Sequence, residues 1–204
     1  MPANTDVFVN CPYDKRYYPL LRPLIFTLVF FELNPRMSFE SSQGEQRLDK
    51  IIKMIHEAPL SIHDISRYKA RKAKEHYRLN MAFELGIDYG CKECPCKNNI
   101  EKKFLIMSNH PFEHQKAISD LSGVDLEYHK DRVKEVITIV RNWLKINSPG
   151  EVKAQANTVV YRYNDFIPDL TSKVSSSYHS TNLNLMPIKE YIEFINNWFA
   201  EKNI

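Results

Sequence analysis

Between residues 6 and 146, short β-rich runs alternate with helix-length amphipathic stretches, and that alternation most constrains the fold. Asp6-Val-Phe-Val-Asn10 reads as a first strand and Cys11-Pro-Tyr-Asp14 as the turn after it. From Tyr17 to Phe31, Leu20, Leu21, Leu24, Leu28 and Phe31 recur near the helical period; Pro19 suits a first turn and Pro23 should bend or delay the helix. Pro35 to Phe39 reads as a second strand, Glu45 to Ala58 as an amphipathic helix and Leu60 to Ile65 as a third strand. A basic connection, Ser66 to Tyr77, leads to a helix over Arg78 to Gly90, which Gly90 is placed to stop. Lys103 to Met107 and Val124 to Tyr128 supply the fourth and fifth strands, with a short helix between them at His114 to Leu121. A helix over Arg132 to Ile146 closes the series. The pattern predicts an α/β fold: a flavodoxin-like, doubly wound, parallel five-stranded sheet covered on both faces.

Ser148-Pro-Gly150 marks a boundary, so residues 1–147 read as the domain and 148–204 as a small α+β extension packed on it or at a subunit interface. In the extension, Thr158 to Tyr163 is strand-like, Ser172 to Thr181 a polar loop and Pro187 to Ala200 an amphipathic helix. The helix segment Lys189 to Phe199 echoes Lys134 to Leu144, an echo that shared amphipathic composition largely accounts for. An apolar fraction of 43% excludes a disordered chain. A net charge of +3 admits an anionic ligand, but no basic stripe interleaved with aromatics points to DNA. The apolar run Leu20 to Leu33 is broken by Arg22, Pro23 and Glu32, too short for a membrane span, and the N-terminus lacks a signal-peptide pattern. A cytoplasmic location is the expectation.

Ligands of such sheets sit beyond the carboxyl ends of the strands, near the switch in strand order. That rule selects Asn10, Cys11, Pro12, Tyr13 and Asp14 after the first strand. It selects Glu40 and the Ser41 to Gly44 loop after the second, and His63, Asp64, Ser66 and Arg67 after the third. The helix that follows brings Asn80 and Glu84 to the same rim, one turn apart. Glu84 interrupts an apolar pattern, as a surface charge does or as a carboxylate pointing into a pocket does. Ordinary structural roles compete at every other position: a cap for Asp14, Asp64 and Asn80, a small buried group for Cys11, and a satisfied core histidine for His63. Cys91, Cys94 and Cys96 crowd one short segment, either as free surface thiols or, with His110 or His114, as a structural zinc site.

The opening strand with its Tyr-Asp turn, the Ile-rich stretch from Leu48 to Ser66, and the placement of Glu84 together resemble Toll/interleukin-1 receptor (TIR) domains over roughly the first two-thirds of the chain. The chain departs from that family in approaching the glutamate through Arg78-Leu-Asn-Met-Ala82, where a Trp-Cys pair is usual. Asp64, Asn80 and Glu84-Leu-Gly86 also resemble nucleoside 2-deoxyribosyltransferases, a related fold that sets a glutamate against a sugar C1′. Both relatives break an N-glycosidic bond to ribose. The TIR resemblance implies an NAD+ glycohydrolase or cyclase of bacterial antiphage defence, with Glu84 catalytic and Asn80 holding it or a ribose hydroxyl. Asn10, Pro12, Tyr13, Asp14, Glu40, Asp64 and Ser66 would then contact substrate. It further implies a homo-oligomer that contacts neighbours through Glu45 and Arg47, NAD+ as substrate with no added cofactor, and a separate effector protein sensing the product. The basic loop from Arg67 to Arg78 would meet the pyrophosphate, the alternative being a solvated loop. The alternatives are a nucleoside-cleaving N-glycosidase and a non-catalytic nucleotide-binding signalling module.

Overall fold

Period-two alternation in the first strand decides how the sheet is covered. In a computed structural model that describes residues 4–38, 47–67, 79–94 and 101–203, β1 (Asp6–Asn10) sends Val7 and Val9 into one core and Phe8 into another. It pairs in parallel with β2 (Asn34–Arg36) on one side and β3 (Leu60–Asp64) on the other. Next come β4 (Lys103–Ser108) and the two-residue β5 (Glu127–Tyr128), which complete an all-parallel sheet of order β2-β1-β3-β4-β5. The strand order reverses between β1 and β3, where Asn10 lies opposite His63. This is the α/β architecture the alternation predicts.

One face carries α2 (Arg47–Glu57) and α3 (Asn80–Glu93); the other carries α1 (Tyr18–Phe30) and α4 (Val133–Asn147). Helix α1 runs through Pro23 and buries every residue from Leu20 to Val29, because it is covered twice. The sheet lies against one side of it, and α5 (Ala156–Tyr178) and α6 (Ile188–Lys202) against the other. Phe26 is the centre of that outer contact, its ring 5.2 Å from those of Tyr163, Phe166 and Phe199. Arg22, the charge inside the apolar run, donates to the carbonyls of Leu183 and Met186 and stacks 4.8 Å from the Tyr191 ring. The Tyr191 hydroxyl returns a 3.0 Å bond to the Arg22 carbonyl.

Several boundaries differ from the sequence expectations. Residues 158–163 belong to helix α5, so the described part of the extension is helical and not α+β. Val159, Tyr163, Phe166, Leu170 and Val174 recur at helical spacing, and packing on α1 overrides the β-preference of Thr, Val and Tyr. Pro168 is tolerated within α5 because it and Asn164, whose carbonyl it leaves free, both face solvent. The helix continues to Tyr178 and ends where His179 turns left-handed at φ 50. Gly90 does not stop α3, which runs to Glu93. Two 3₁₀ turns replace the short helix expected at His114 to Leu121. The echo between α4 and α6 has a shared cause, since both press an apolar face on the α1 layer.

Because α1, α4, α5 and α6 share one core cluster, the extension should unfold with the domain. Phe26→Ala should lower stability by about 3–5 kcal/mol. Urea unfolding followed through Trp143 on α4 and Trp198 on α6 should give one coincident transition, and two separated transitions would show an independent extension.

Candidate active site

A buried polar chain fixes α3 against the strand ends. The Asn10 amide nitrogen donates to the Met81 carbonyl at 2.8 Å and lies 2.9 Å from His63 Nδ1. His63 Nε2 is 2.9 Å from Asp88 Oδ2, and Asp88 Oδ1 is 2.9 Å from Lys102 Nζ. Lys102 in turn donates to the carbonyls of Ile55 and Ala58 at the end of α2. Burial alone would raise the Asp88 carboxyl, but the bond from His63 and the charge of Lys102 outweigh it and hold the group below the usual carboxylate range. The sequence-expected core histidine is thus satisfied on both nitrogens.

Glu84 sits between the two tethers that Met81 and Asp88 provide on α3. It is 7% exposed and lines a cleft of about 660 Å³ at the carboxyl ends of β1 and β2 and the start of α3. No hydrogen bond or ion pair from the described residues satisfies its carboxyl. Burial pushes it up to about 7, against a smaller opposing pull from the Arg47 guanidinium. Asn80 stands exposed at the cleft edge, one turn before Glu84. Tyr13 contributes a half-exposed ring set edge-on to Tyr18 at 5.7 Å. Burial, with the carboxylates of Asp64, Glu84 and Asp14 nearby, keeps the Cys11 thiol well above its ordinary value, so it is a protonated wall of the cleft.

Asn10, Tyr13, Asn80 and Glu84 therefore come together as expected, although the Asn10 amide nitrogen is engaged in fixing α3. Asp64 and Ser66 do not join them. His63 faces α3, so its neighbour Asp64 must face the opposite side of the sheet. There its oxygens accept from Tyr17, from the Ser66 N–H (2.8 Å) and hydroxyl, and approach His129 Nε2 at 3.0 Å. Burial tends to raise Asp64, yet its bonds with His129, Ser66 and Tyr17 hold it low. Asp14 closes the turn that leads into α1, its Oδ1 accepting from the N–H groups of Arg16 (2.9 Å) and Tyr17 (3.1 Å). Pro12 is buried outside the cleft lining.

Glu40, the Ser41 to Glu45 loop, Cys96 and the basic segment 68–78 lie outside the described residues. Cys91 and Cys94 end α3 at the amino edge of the sheet, whereas His110 and His114 follow the carboxyl end of β4, so neither histidine can complete a zinc site with those thiols. Among the described residues no group of three or more metal-type ligands is assembled, and no helix is long and apolar enough to cross a membrane.

Sequence reasoning passed over Asp88, although its spacing of four from Glu84 put both on one helix face. It assigned Arg47 to neighbouring subunits and not to the cleft, because only tertiary structure brings the start of α2 there. No protein-family model matches the chain, and no curated protein matches it significantly.

The raised Glu84 carboxyl means the folded state binds this proton more tightly than the unfolded chain. The stability it contributes is full below the ordinary value near 4.5 and is lost as pH rises through about 7. Glu84→Gln should therefore gain on the native protein between pH 5 and 8 by on the order of 2 kcal/mol, read from urea midpoints at each pH. Asp64→Asn should instead destabilise by roughly 3 kcal/mol at neutral pH, because it leaves His129 poorly paired.

Proposed function

We propose that the chain cleaves the nicotinamide–ribose bond of NAD+, with Glu84 beneath the ribose C1′. The observation that carries this reading is a buried carboxyl with no hydrogen-bond or ion-pair partner among the described residues, lining a cleft beyond the strand ends. Unsatisfied buried groups with displaced pKa values concentrate at functional sites, because a fold tolerates their cost where a ligand completes them.

The chemistry matches the groups available. As the N-glycosidic bond breaks, its electron pair leaves with nicotinamide, whose pyridinium nitrogen becomes neutral. Positive charge spreads over C1′ and the ring oxygen. An ionised Glu84 stabilises that charge or captures C1′ covalently, and water then supplies the hydroxyl and releases a proton. No general acid is required for this leaving group. A neutral nucleoside base usually needs one, and among the described residues lining the cleft Cys11 and Tyr13 hold their protons well above neutral pH. That difference favours NAD+ over nucleosides.

Under the TIR-like reading, Asn80 orients Glu84 or a ribose hydroxyl and Tyr13 stacks on the nicotinamide or adenine. The chain works as a homo-oligomer, and its product is ADP-ribose, a cyclic isomer or a conjugate. In an antiphage setting a separate effector protein would read that product.

Purified protein and Glu84→Gln should be incubated with NAD+ and the products resolved by chromatography and mass spectrometry. The native protein should release nicotinamide at a rate that climbs from pH 6 to 8 as Glu84 ionises. The variant should lose activity by about a hundredfold or more. Free base from nucleosides with NAD+ left intact would replace this reading with a deoxyribosyltransferase-like one. Nucleotide binding without turnover would leave a non-catalytic module.

A further inference from the structure

A second cavity lies at the edge of the sheet opposite the Glu84 cleft. Helix α1 runs back from the carboxyl ends of the strands, so its end and the start of β2 mark the amino edge. There Phe30, Glu32 and Leu33, with Ile192, Asn196 and Phe199 of α6, line a pocket of about 470 Å³. That volume falls in the range of small-molecule sites. Phe30 and Phe199 meet edge to face with ring centres 5.7 Å apart, so the walls are largely aromatic and aliphatic.

The charge in this pocket has one sign. Glu32 is the one charged side chain among the described lining residues, and no hydrogen bond or ion pair from the described residues engages its carboxylate. Helix α1 ends beside it with no basic residue in the last turn, so the carbonyl end of the helix dipole adds to the negative potential. Asp6, near the same edge, is already satisfied by Asn34 at 2.6 Å and Arg36 at 2.7 Å. The Glu32 backbone is left-handed, with φ 58. Its N–H bonds the Val29 carbonyl and the Leu33 N–H bonds the Leu28 carbonyl, each at 3.0 Å. Glycine usually completes that double turn. A glutamate there carries both backbone strain and a charge of the wrong sign for a helix end.

We propose that this pocket binds a small organic ammonium with an apolar body. The charged head lies against Glu32 and the end of α1, and the body against Phe30, Ile192 and Phe199. A cation offsets the unopposed negative charge and gains further from the aromatic rings. A neutral ligand of the same shape gains the apolar contact alone, and an anion is repelled. The site stands apart from the glycohydrolase reading, since it shares no residue with the Glu84 cleft.

Phenethylamine, phenethyl alcohol and phenylpropionate share an apolar body and differ in head charge at neutral pH, which makes them the probes. Each should be titrated into isotope-labelled protein by NMR, following the backbone amide signals of Leu33, Asn34, Ile192 and Asn196. The ammonium should shift these signals and bind about fivefold or more tightly than the alcohol, with the carboxylate weakest. Glu32→Gln should remove the preference for the ammonium. Glu32→Gly should remove it too while raising the urea midpoint, because glycine relieves the left-handed strain. Asn196→Trp, at an exposed position on the rim, should block the ammonium without unfolding the protein. Equal affinities for the three probes, a preference that survives Glu32→Gln, no shift with phenethylamine, or shifts confined to Leu79 to Glu84 would overturn the site. The titration reads the same whether or not the protein releases nicotinamide from NAD+, so failure of one proposal leaves the other standing.

Discussion

The run of buried polar contacts from the Met81 carbonyl through Asn10, His63, Asp88 and Lys102 to the end of α2 is the constraint on which the cleft depends. It joins two neighbouring strands to both helices of one face. Buried ion pairs are a weak source of net stability, because desolvation consumes much of what the attraction returns. Their effect is on geometry: each link is costly to break singly, so α3 has one rotation and one height in which all are made. Glu84 lies between two of the anchored positions, Met81 and Asp88. Its carboxyl is held in the cleft with no bond from the described residues.

The opposite face is built differently. There α1 is covered by the sheet on one side and by α5 and α6 on the other, and its fixing is almost wholly apolar around Phe26. Arg22 is the exception. It costs desolvation, and its burial lowers its affinity for a proton. The carbonyls of Leu183 and Met186 and the Tyr191 face compensate, and in return the connection before α6 has one place to lie. Stiff packing on this side and polar anchoring on the other leave the strand ends between β1 and α3 open.

The sheet was legible because its strands carry their burial in their own letters. Phe104 to Met107 is a continuous apolar run, Asp6 to Asn10 centres on Val-Phe-Val, and the helices between the strands show clear periodicity. Glu84 was legible for the complementary reason, as a charge inside such a pattern. Arg22 was the same kind of signal, a lone charge inside an apolar run, and it meant a second layer covering α1. What failed was local preference standing in for packing. Thr158 to Tyr163 has the composition of a strand, and only its contact with α1 makes it helix. Asp64 failed by parity: adjacent residues on one strand cannot both face α3, and His63 occupies that side.

A carboxyl that titrates near 7 suits a positively charged substrate for a reason beyond transition-state stabilisation. A pyridinium brought close to Glu84 favours its ionised form, so such a ligand would draw the proton off the group that acts on it. Once the bond breaks, nicotinamide is neutral and that support is gone. Glu84 would return towards its protonated state, and the attraction holding the departing base would fall with it. A fully exposed glutamate, ionised throughout, would hold substrate charge without this change. A carboxyl paired within the protein would be ionised but unavailable. Glu84, buried and without a partner among the described residues, lies between these cases, where charge on the ligand acts together with ambient pH to set the state of the carboxyl.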